Sequence, residues 1–180
     1  MLIEKECFDL NGHEILLRGA EPEDAPLMVG YLKTVSGETK FLSKEADEVN
    51  ITLEQEISFI NKMKEPRNLL IIAFVDGEYA GNCSFSVKKE SRRNAHRAEF
   101  GIALFQKYTG MGLGRVLMER AIGCAGKLGY EQMELTVVSE NERAKKLYKS
   151  FGFYEYGRLP NANKYDDGTF SDDIFMIKTL

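Results

Sequence analysis

A chain of 180 residues, 43% hydrophobic and 29% charged, has the size and composition of one soluble domain with a sizeable core, so a single domain over residues 1–180 is expected. No apolar run approaches the roughly 20 residues that span a bilayer, and the acids in Met1-Leu2-Ile3-Glu4-Lys5-Glu6 differ from the basic start of a signal peptide, which excludes a membrane partner and points to the cytoplasm. The net charge of −4 is uneven: residues 1–66 hold 14 acids and 7 bases, residues 67–180 hold 14 acids and 17 bases. The acidic first part argues against nucleic acid and is compatible with a cationic substrate, or with an ordinary solvated surface.

In chain order, Cys7-Phe8-Asp9-Leu10 and Glu14-Ile15-Leu16-Leu17 flank Asn11-Gly12, a two-residue hairpin signal. Pro22 suits the first turn of a helix, and Leu27, Met28, Tyr31 and Leu32 follow at helical spacing. Asn50 or Thr52 caps a second helix with Ile57, Ile60 and Met63 on one face. Leu69 to Val75 is continuously apolar and reads as a buried strand turned by Asp76-Gly77, with Tyr79 to Val87 as the next strand. Lys88 to Arg97 is a basic, polar loop. Ala98 to Phe105 is a further strand, Gly112 to Leu128 a helix with Leu113, Val116, Leu117, Ile122 and Cys124 as apolar positions, and Met133 to Val138 a strand. Ser139-Glu140-Asn141-Glu142 fits a capping box that opens a helix ending near Ser150. Phe153 to Leu159 and Ile174 to Leu180 close the fold. This mixture predicts one α+β domain around a central sheet. Cys7, Cys83 and Cys124 form no CxxC pair and His13 and His96 are far apart, so neither a disulfide framework nor a metal site is expected.

Two segments can carry chemistry. Thr109-Gly110-Met111-Gly112-Leu113-Gly114-Arg115 lies between a strand and a helix. Its alternate glycines allow a tight turn and close backbone approach. The N–H groups then converge at a helix N-terminus, where the dipole favours a phosphate or pyrophosphate. The glycine spacing is neither that of a Walker loop nor the dinucleotide fingerprint. A tight turn without a ligand is the competing reading. In the second segment, Asn141 to Phe153, residues Ala144, Leu147, Tyr148 and Phe151 share one helical face and Gly152 stops the helix. Read alone, it is equally a plain amphipathic helix with Tyr148 as core filler.

Taken together, the two segments resemble the GNAT N-acetyltransferase superfamily, and among it the bacterial enzymes that acetylate ribosomal-protein N-termini, polyamines or small amines. The family pattern is Q/R-x-x-G-x-G/A, then a strand, then N-x-x-A-x-x-L-Y-x-x-x-G-F. The second part matches at every specified position, whereas the first departs at Thr109, which is shorter and uncharged where the family has Gln or Arg. The resemblance implies a central, mostly antiparallel twisted sheet with a splayed parallel pair, flanked by helices, and acetyl-CoA as cosubstrate without a metal. It implies that the backbone of Ile102 and Leu104 pairs with the pantetheine arm. Gly110, Met111, Gly112, Leu113, Gly114 and Arg115 then form the pyrophosphate cradle, with Arg115 compensating for Thr109. Asn141 hydrogen-bonds the cofactor arm, and Tyr148 is the general acid that protonates the departing thiolate. Glu99 is the candidate base, on a strand face shared with Gly101 and Ala103; pairing with Arg97 or Arg92 is its alternative. His96 is a poorer candidate, and Cys83 and Cys124 are core residues.

The resemblance implies a small amine or a peptide N-terminus as acceptor. Asp166, Asp167, Asp172 and Asp173 either draw a cation toward the site or form turns. An acetyl-CoA-binding regulatory module without turnover is the alternative function. A nucleotide kinase is remote, because the P-loop lysine is missing. The exposed edge of the sheet gives a route to a homodimer.

Overall fold

A computed structural model describes residues 3–89 and 91–180. Met1 and Leu2 of the acidic start, and Glu90 of the basic loop, lie outside the described residues. The strands are β1 (Glu6–Leu10), β2 (His13–Gly19), β3 (Leu69–Val75), β4 (Glu78–Val87), β5 (Arg97–Leu104), β6 (Gln132–Val138), β7 (Tyr154–Lys164) and β8 (Phe170–Thr179). The helices are α1 (Ala25–Glu38), α2 (Leu53–Met63), α3 (Leu113–Lys127) and α4 (Glu142–Ser150). None of them is long and apolar enough to cross a membrane. The strands form one sheet in the order β1-β2-β3-β4-β5-β6-β8-β7, antiparallel except for the β5–β6 pair. This is the mixed architecture expected, with its one parallel pair.

Local sequence explains most boundaries. Asn11 (φ 56°) with Gly12 (φ 84°), and Asp76 (φ 50°) with Gly77 (φ 81°), give both hairpins two consecutive left-handed residues, the turn whose twist matches the flanking strands. Thr52, rather than Asn50, caps α2: its Oγ1 accepts the Gln55 N–H while the Gln55 side chain accepts the Thr52 N–H. Pro22 opens a single 3-10 turn before α1, and Asp24 in that turn accepts both arms of the Arg18 guanidinium at 2.7 Å each. The buried face of α1 is Met28, Tyr31 and Val35, whereas Leu27 is 43% exposed. The helical spacing was right, but the face is turned one position away from Leu27. The last two strands run longer than expected, and their pairing is irregular between Glu155 and Gly157 and between Leu159 and Asn163. Pro160 is tolerated there because β7 is an edge strand.

Strand alternation divides the interior in two. On one face, Ile71, Cys83, Phe85, Ala98, Phe100, Met133 and Leu135 pack against Leu113, Leu117, Met118 and Ala121 of α3. On the other, Leu70, Ile72 and Tyr79 pack against Met28, Tyr31 and Val35 of α1 and Ile60 and Met63 of α2. β3 contributes to both cores, which is why its sequence is continuously apolar. Cys83 and Cys124 belong to the first core.

Candidate active site

The parallel pair makes the site. β5 and β6 are in register only over Arg97↔Gln132, Ala98↔Met133 and Glu99↔Glu134. Beyond Glu99 and Glu134 the two strands no longer pair with each other, although β5 stays paired to β4 and β6 to β8, and the gap between them opens into a cavity of about 1080 Å³. A strand edge that has lost its neighbour leaves backbone donors and acceptors to be satisfied by something else. Phe100 to Leu104 of β5 and Thr136 and Val137 of β6 form the two sides of the gap.

At the vertex sits Glu134, whose side chain is 1% exposed. The Arg97 guanidinium donates to both of its oxygens, at 2.5 and 2.9 Å, Gln132 Nε2 donates at 2.9 Å and Lys88 Nζ lies at 3.2 Å. Burial opposes ionisation of this carboxyl, yet the bonds from Arg97, Gln132 and Lys88 outweigh it and hold the group down at about 2. Glu134 was not expected from sequence. It is a lone charge inside an apolar strand, and its main partner lies 37 residues away.

One end of the cavity is built by the glycine turn. Gly110 (φ 86°) and Gly112 (φ 99°) take left-handed conformations, and Gly112 is the N-cap of α3. The first N–H groups of α3, those of Leu113 and Gly114, have no acceptor within the helix and can meet an anion. The turn is pinned from outside, because Asn11 Nδ2 at the tip of the β1–β2 hairpin donates to Met111 O at 3.0 Å. A planar peptide points its N–H away from its carbonyl. Holding Met111 O on the hairpin side therefore turns the Gly112 N–H to the opposite side. Arg115 also lines the cavity, with Nη1 3.3 Å from Ser150 Oγ and its guanidinium 5.0 Å from the Phe151 ring centre. Thr109 Oγ1 donates to Gln106 O and accepts from Arg143 Nη1, each at 2.7 Å.

Helix α4 forms the adjoining wall. Its cap is Asn141, whose Oδ1 accepts the Ala144 N–H at 3.1 Å, and not Ser139 as the capping-box pattern suggested. Ser139 instead pairs through its backbone N–H with Asp172 O near the start of β8. With Oδ1 occupied, the amide hydrogens of Asn141 are what it can offer to a ligand. Tyr148 lines the cavity from the same helix while its ring packs beside Phe153. Burial pushes its phenol up to about 12, because the phenolate would be poorly solvated there.

The other end is walled by residues with no sequence signal: Val35 and Glu38 at the end of α1, and Thr39, Lys40, Phe41 and Leu42 after it. Asn82 and Ser84 of β4 and Thr136 of β6 supply polar groups on the same side. Glu38 is held by the Gln106 N–H at 2.7 Å, and the Lys40 ammonium lies 5.0 Å from the Tyr165 ring centre.

Ile102, Leu104, Gly110, Gly112, Gly114, Arg115, Asn141 and Tyr148 thus surround one cavity, with Met111 and Leu113 inside the same turn. Glu99 does not join them. It is absent from the cavity lining, and its carboxylate is 3.2 Å from Lys88 Nζ, a partner other than the Arg97 or Arg92 considered from sequence. The hairpin acids are turn and strand formers. Asp167 accepts the Thr169 N–H, Asp172 pairs with Arg158 at 3.3 Å, and Asp173 accepts Asn163 Nδ2. Among the described residues, no cluster of three or more His, Cys, Asp or Glu side chains could hold a metal.

Known proteins are similar to this chain in sequence and in fold. The L-amino acid N-acetyltransferase AaaT of Escherichia coli (strain K12) is 32% identical over 111 residues, 60% of this chain and 66% of that protein, just under two thirds of its length. The crystal structure of an acetyltransferase of the GNAT family from Streptococcus pneumoniae superposes with a TM-score of 0.87 at 32% identity, covering 92% of this chain and 99% of that one. The yncA protein of Salmonella typhimurium, solved with its cofactor acetyl-CoA, has the same fold, with a TM-score of 0.82 at 20% identity over 92% of this chain and 94% of that one. The pattern of the acetyltransferase (GNAT) family matches residues 38–153, from the end of α1 through α4. The chain therefore belongs to the acetyltransferase (GNAT) family.

Proposed function

We propose that residues 1–180 act as one cytoplasmic acetyltransferase domain, moving the acetyl group of acetyl-CoA directly to a primary amine while both substrates are bound. The observation that carries this reading is the unpaired stretch of β5 and β6. It runs through a cavity whose lining takes in the anion-ready glycine turn and the segment Val35 to Leu42 at and after the end of α1.

In this reading the pyrophosphate meets the N–H groups between Gly110 and Gly114, and Asn141 donates its amide to the pantetheine arm. The arm lies along Ile102 and Leu104 as a surrogate strand. A backbone N–H on that open edge polarises the thioester carbonyl as negative charge develops on its oxygen. The neutral amine attacks the carbonyl carbon, the C–S bond breaks, the thiolate takes its proton from Tyr148, and the nitrogen of the new amide gives up a proton that returns to the phenolate through water. Burial keeps the phenol in its protonated form throughout the neutral range, so the proton is present when the thiolate departs. Proton removal from the incoming ammonium runs through water. Glu99, on the acceptor side of β5 but outside the lining, is reached only through such a relay.

The acceptor is a small amine or a peptide N-terminus. The α-amino group of an amino acid is favoured by the similarity to the L-amino acid enzyme. An amine panel of amino acids, polyamines, aminoglycosides and peptide N-termini, read by release of free CoA, tests the reading. Release with at least one amine is expected. Acetyl-CoA binding without release for any amine would favour a regulatory module instead.

A further inference from the structure

Position 109 is where this chain departs from the family pattern, and the structure suggests how the gap is filled. Thr109 has one hydroxyl proton, and it goes to Gln106 O at 2.7 Å. The hydroxyl therefore cannot donate to a phosphate. What it does is accept, at 2.7 Å, from Nη1 of Arg143. That arginine lies 34 residues further on, in the first turn of α4.

Arg143 is an unusual cation in its place. The first turn of a helix carries the positive end of the dipole, so a guanidinium there is disfavoured unless an anion meets it. The neighbouring carboxylate that could serve, Glu142, turns instead to Lys145 at 2.7 Å. The guanidinium is exposed, lines the same cavity as the glycine turn, and spends one of its five N–H groups on Thr109. Arg115, expected from sequence to compensate for Thr109, is drawn back onto Phe151 and Ser150.

We infer that Arg143 supplies, from α4, the cationic phosphate anchor that position 109 lacks, and that the Thr109 hydroxyl orients it toward the pyrophosphate of the cofactor. The inference rests on the acetyl-CoA reading above and adds a consequence. α4 carries Asn141 and Tyr148, so an anchor on this helix ties its position to the occupancy of the phosphate site. A fork with donors left over suits the phosphate oxygens, and charge-assisted pairs of this kind are among the stronger hydrogen bonds.

The test is titration calorimetry of acetyl-CoA, dephospho-CoA and phosphate-free S-acetylpantetheine into the wild-type chain and into Arg143→Ala, Arg143→Lys, Thr109→Val and the double variant Thr109→Gln/Arg143→Ala. For Arg143→Ala we expect a weakening of about 10- to 100-fold for acetyl-CoA. The same loss is expected for dephospho-CoA, which keeps the pyrophosphate but lacks the 3′-phosphate, and no loss for S-acetylpantetheine. Arg143→Lys should recover part of the affinity, Thr109→Val should lose a few-fold, and Thr109→Gln should partly rescue Arg143→Ala. Wild-type affinity in Arg143→Ala, or an equal loss for the phosphate-free donor, overturns the inference. A loss confined to ligands with the 3′-phosphate overturns the pyrophosphate assignment. Failure of the wild-type chain to bind acetyl-CoA at all would instead remove the functional reading beneath it.

Discussion

The two ends of the cavity are made from different kinds of structure. At the glycine turn, the groups facing inward are backbone N–H groups and side chains on α3 and α4, and the turn is pinned by Asn11 from another hairpin. At the α1 end, the wall is the irregular segment Thr39 to Leu42, tied down through Glu38 to the Gln106 N–H and through Lys40 O to the Tyr165 hydroxyl at 3.3 Å. A site for a constant ligand can be built from backbone, whose geometry does not depend on side-chain identity. A wall of loop side chains can be altered without disturbing the sheet. On the proposed reading, the first kind of wall suits the acetyl donor and the second suits the choice of acceptor.

Three substitutions separate the contributions of these two regions. Tyr148→Phe removes a hydroxyl and leaves the ring packed beside Phe153. The expected outcome in steady-state kinetics is a kcat lower by about 100-fold or more, with acetyl-CoA affinity and melting temperature little changed. Unchanged turnover would remove Tyr148 from the reaction.

Glu134→Gln tests the vertex that both ends share. The folded carboxyl is held at about 2, below its ordinary 4.5. Its contribution to stability is therefore complete above about 4.5 and is lost as the pH falls toward 2. The variant should unfold more easily at pH 7 in urea, by a few kcal/mol, because Arg97 and Lys88 lose their buried counter-charge. It should also show a flatter dependence of stability on pH between about 5 and 2. Equal slopes for the two proteins would show that Glu134 is not the group being titrated.

Phe41→Ala cuts an apolar side chain from the α1 end alone. A rise of about 5-fold in acceptor KM is expected, with acetyl-CoA affinity unchanged. A change in acetyl-CoA affinity instead would show that the two ends are not separable in this way.

Legibility in the sequence followed a physical line. Leu69 to Val75 was read with its observed bounds because a strand buried on both faces has no polar interruption, and Asn11-Gly12 and Asp76-Gly77 were read because few residues tolerate consecutive positive φ. Cradle and helix were legible as motifs for the same local reasons. Contacts between distant positions were not: Asn11 reaching Met111 over 100 residues, Arg97 reaching Glu134 over 37, and Arg143 reaching Thr109 over 34. Periodicity reports which face of an element is buried, not which polar groups meet across the fold. Glu99 illustrates the same point. Alternation reports its face but not its distance along β5, which places it beside Lys88 at the last paired position of β5 and β6. Thr39 to Leu42 has no period at all, so nothing marked it as a wall of the site.

The most direct test of the central claim is a calorimetric titration of acetyl-CoA into the wild-type chain, Gly112→Asp and Gly168→Asp. Both glycines hold positive φ, +99° and +83°, so both substitutions carry a comparable backbone cost. On the proposed reading, Gly112→Asp adds a negative charge within the turn that would seat the phosphates, on its Leu10 side, whereas Gly168→Asp adds one outside the cavity lining. Wild-type affinity is expected for Gly168→Asp, and a loss of about 100-fold or more for Gly112→Asp, with similar melting temperatures for the two variants. Wild-type affinity in Gly112→Asp would contradict the account.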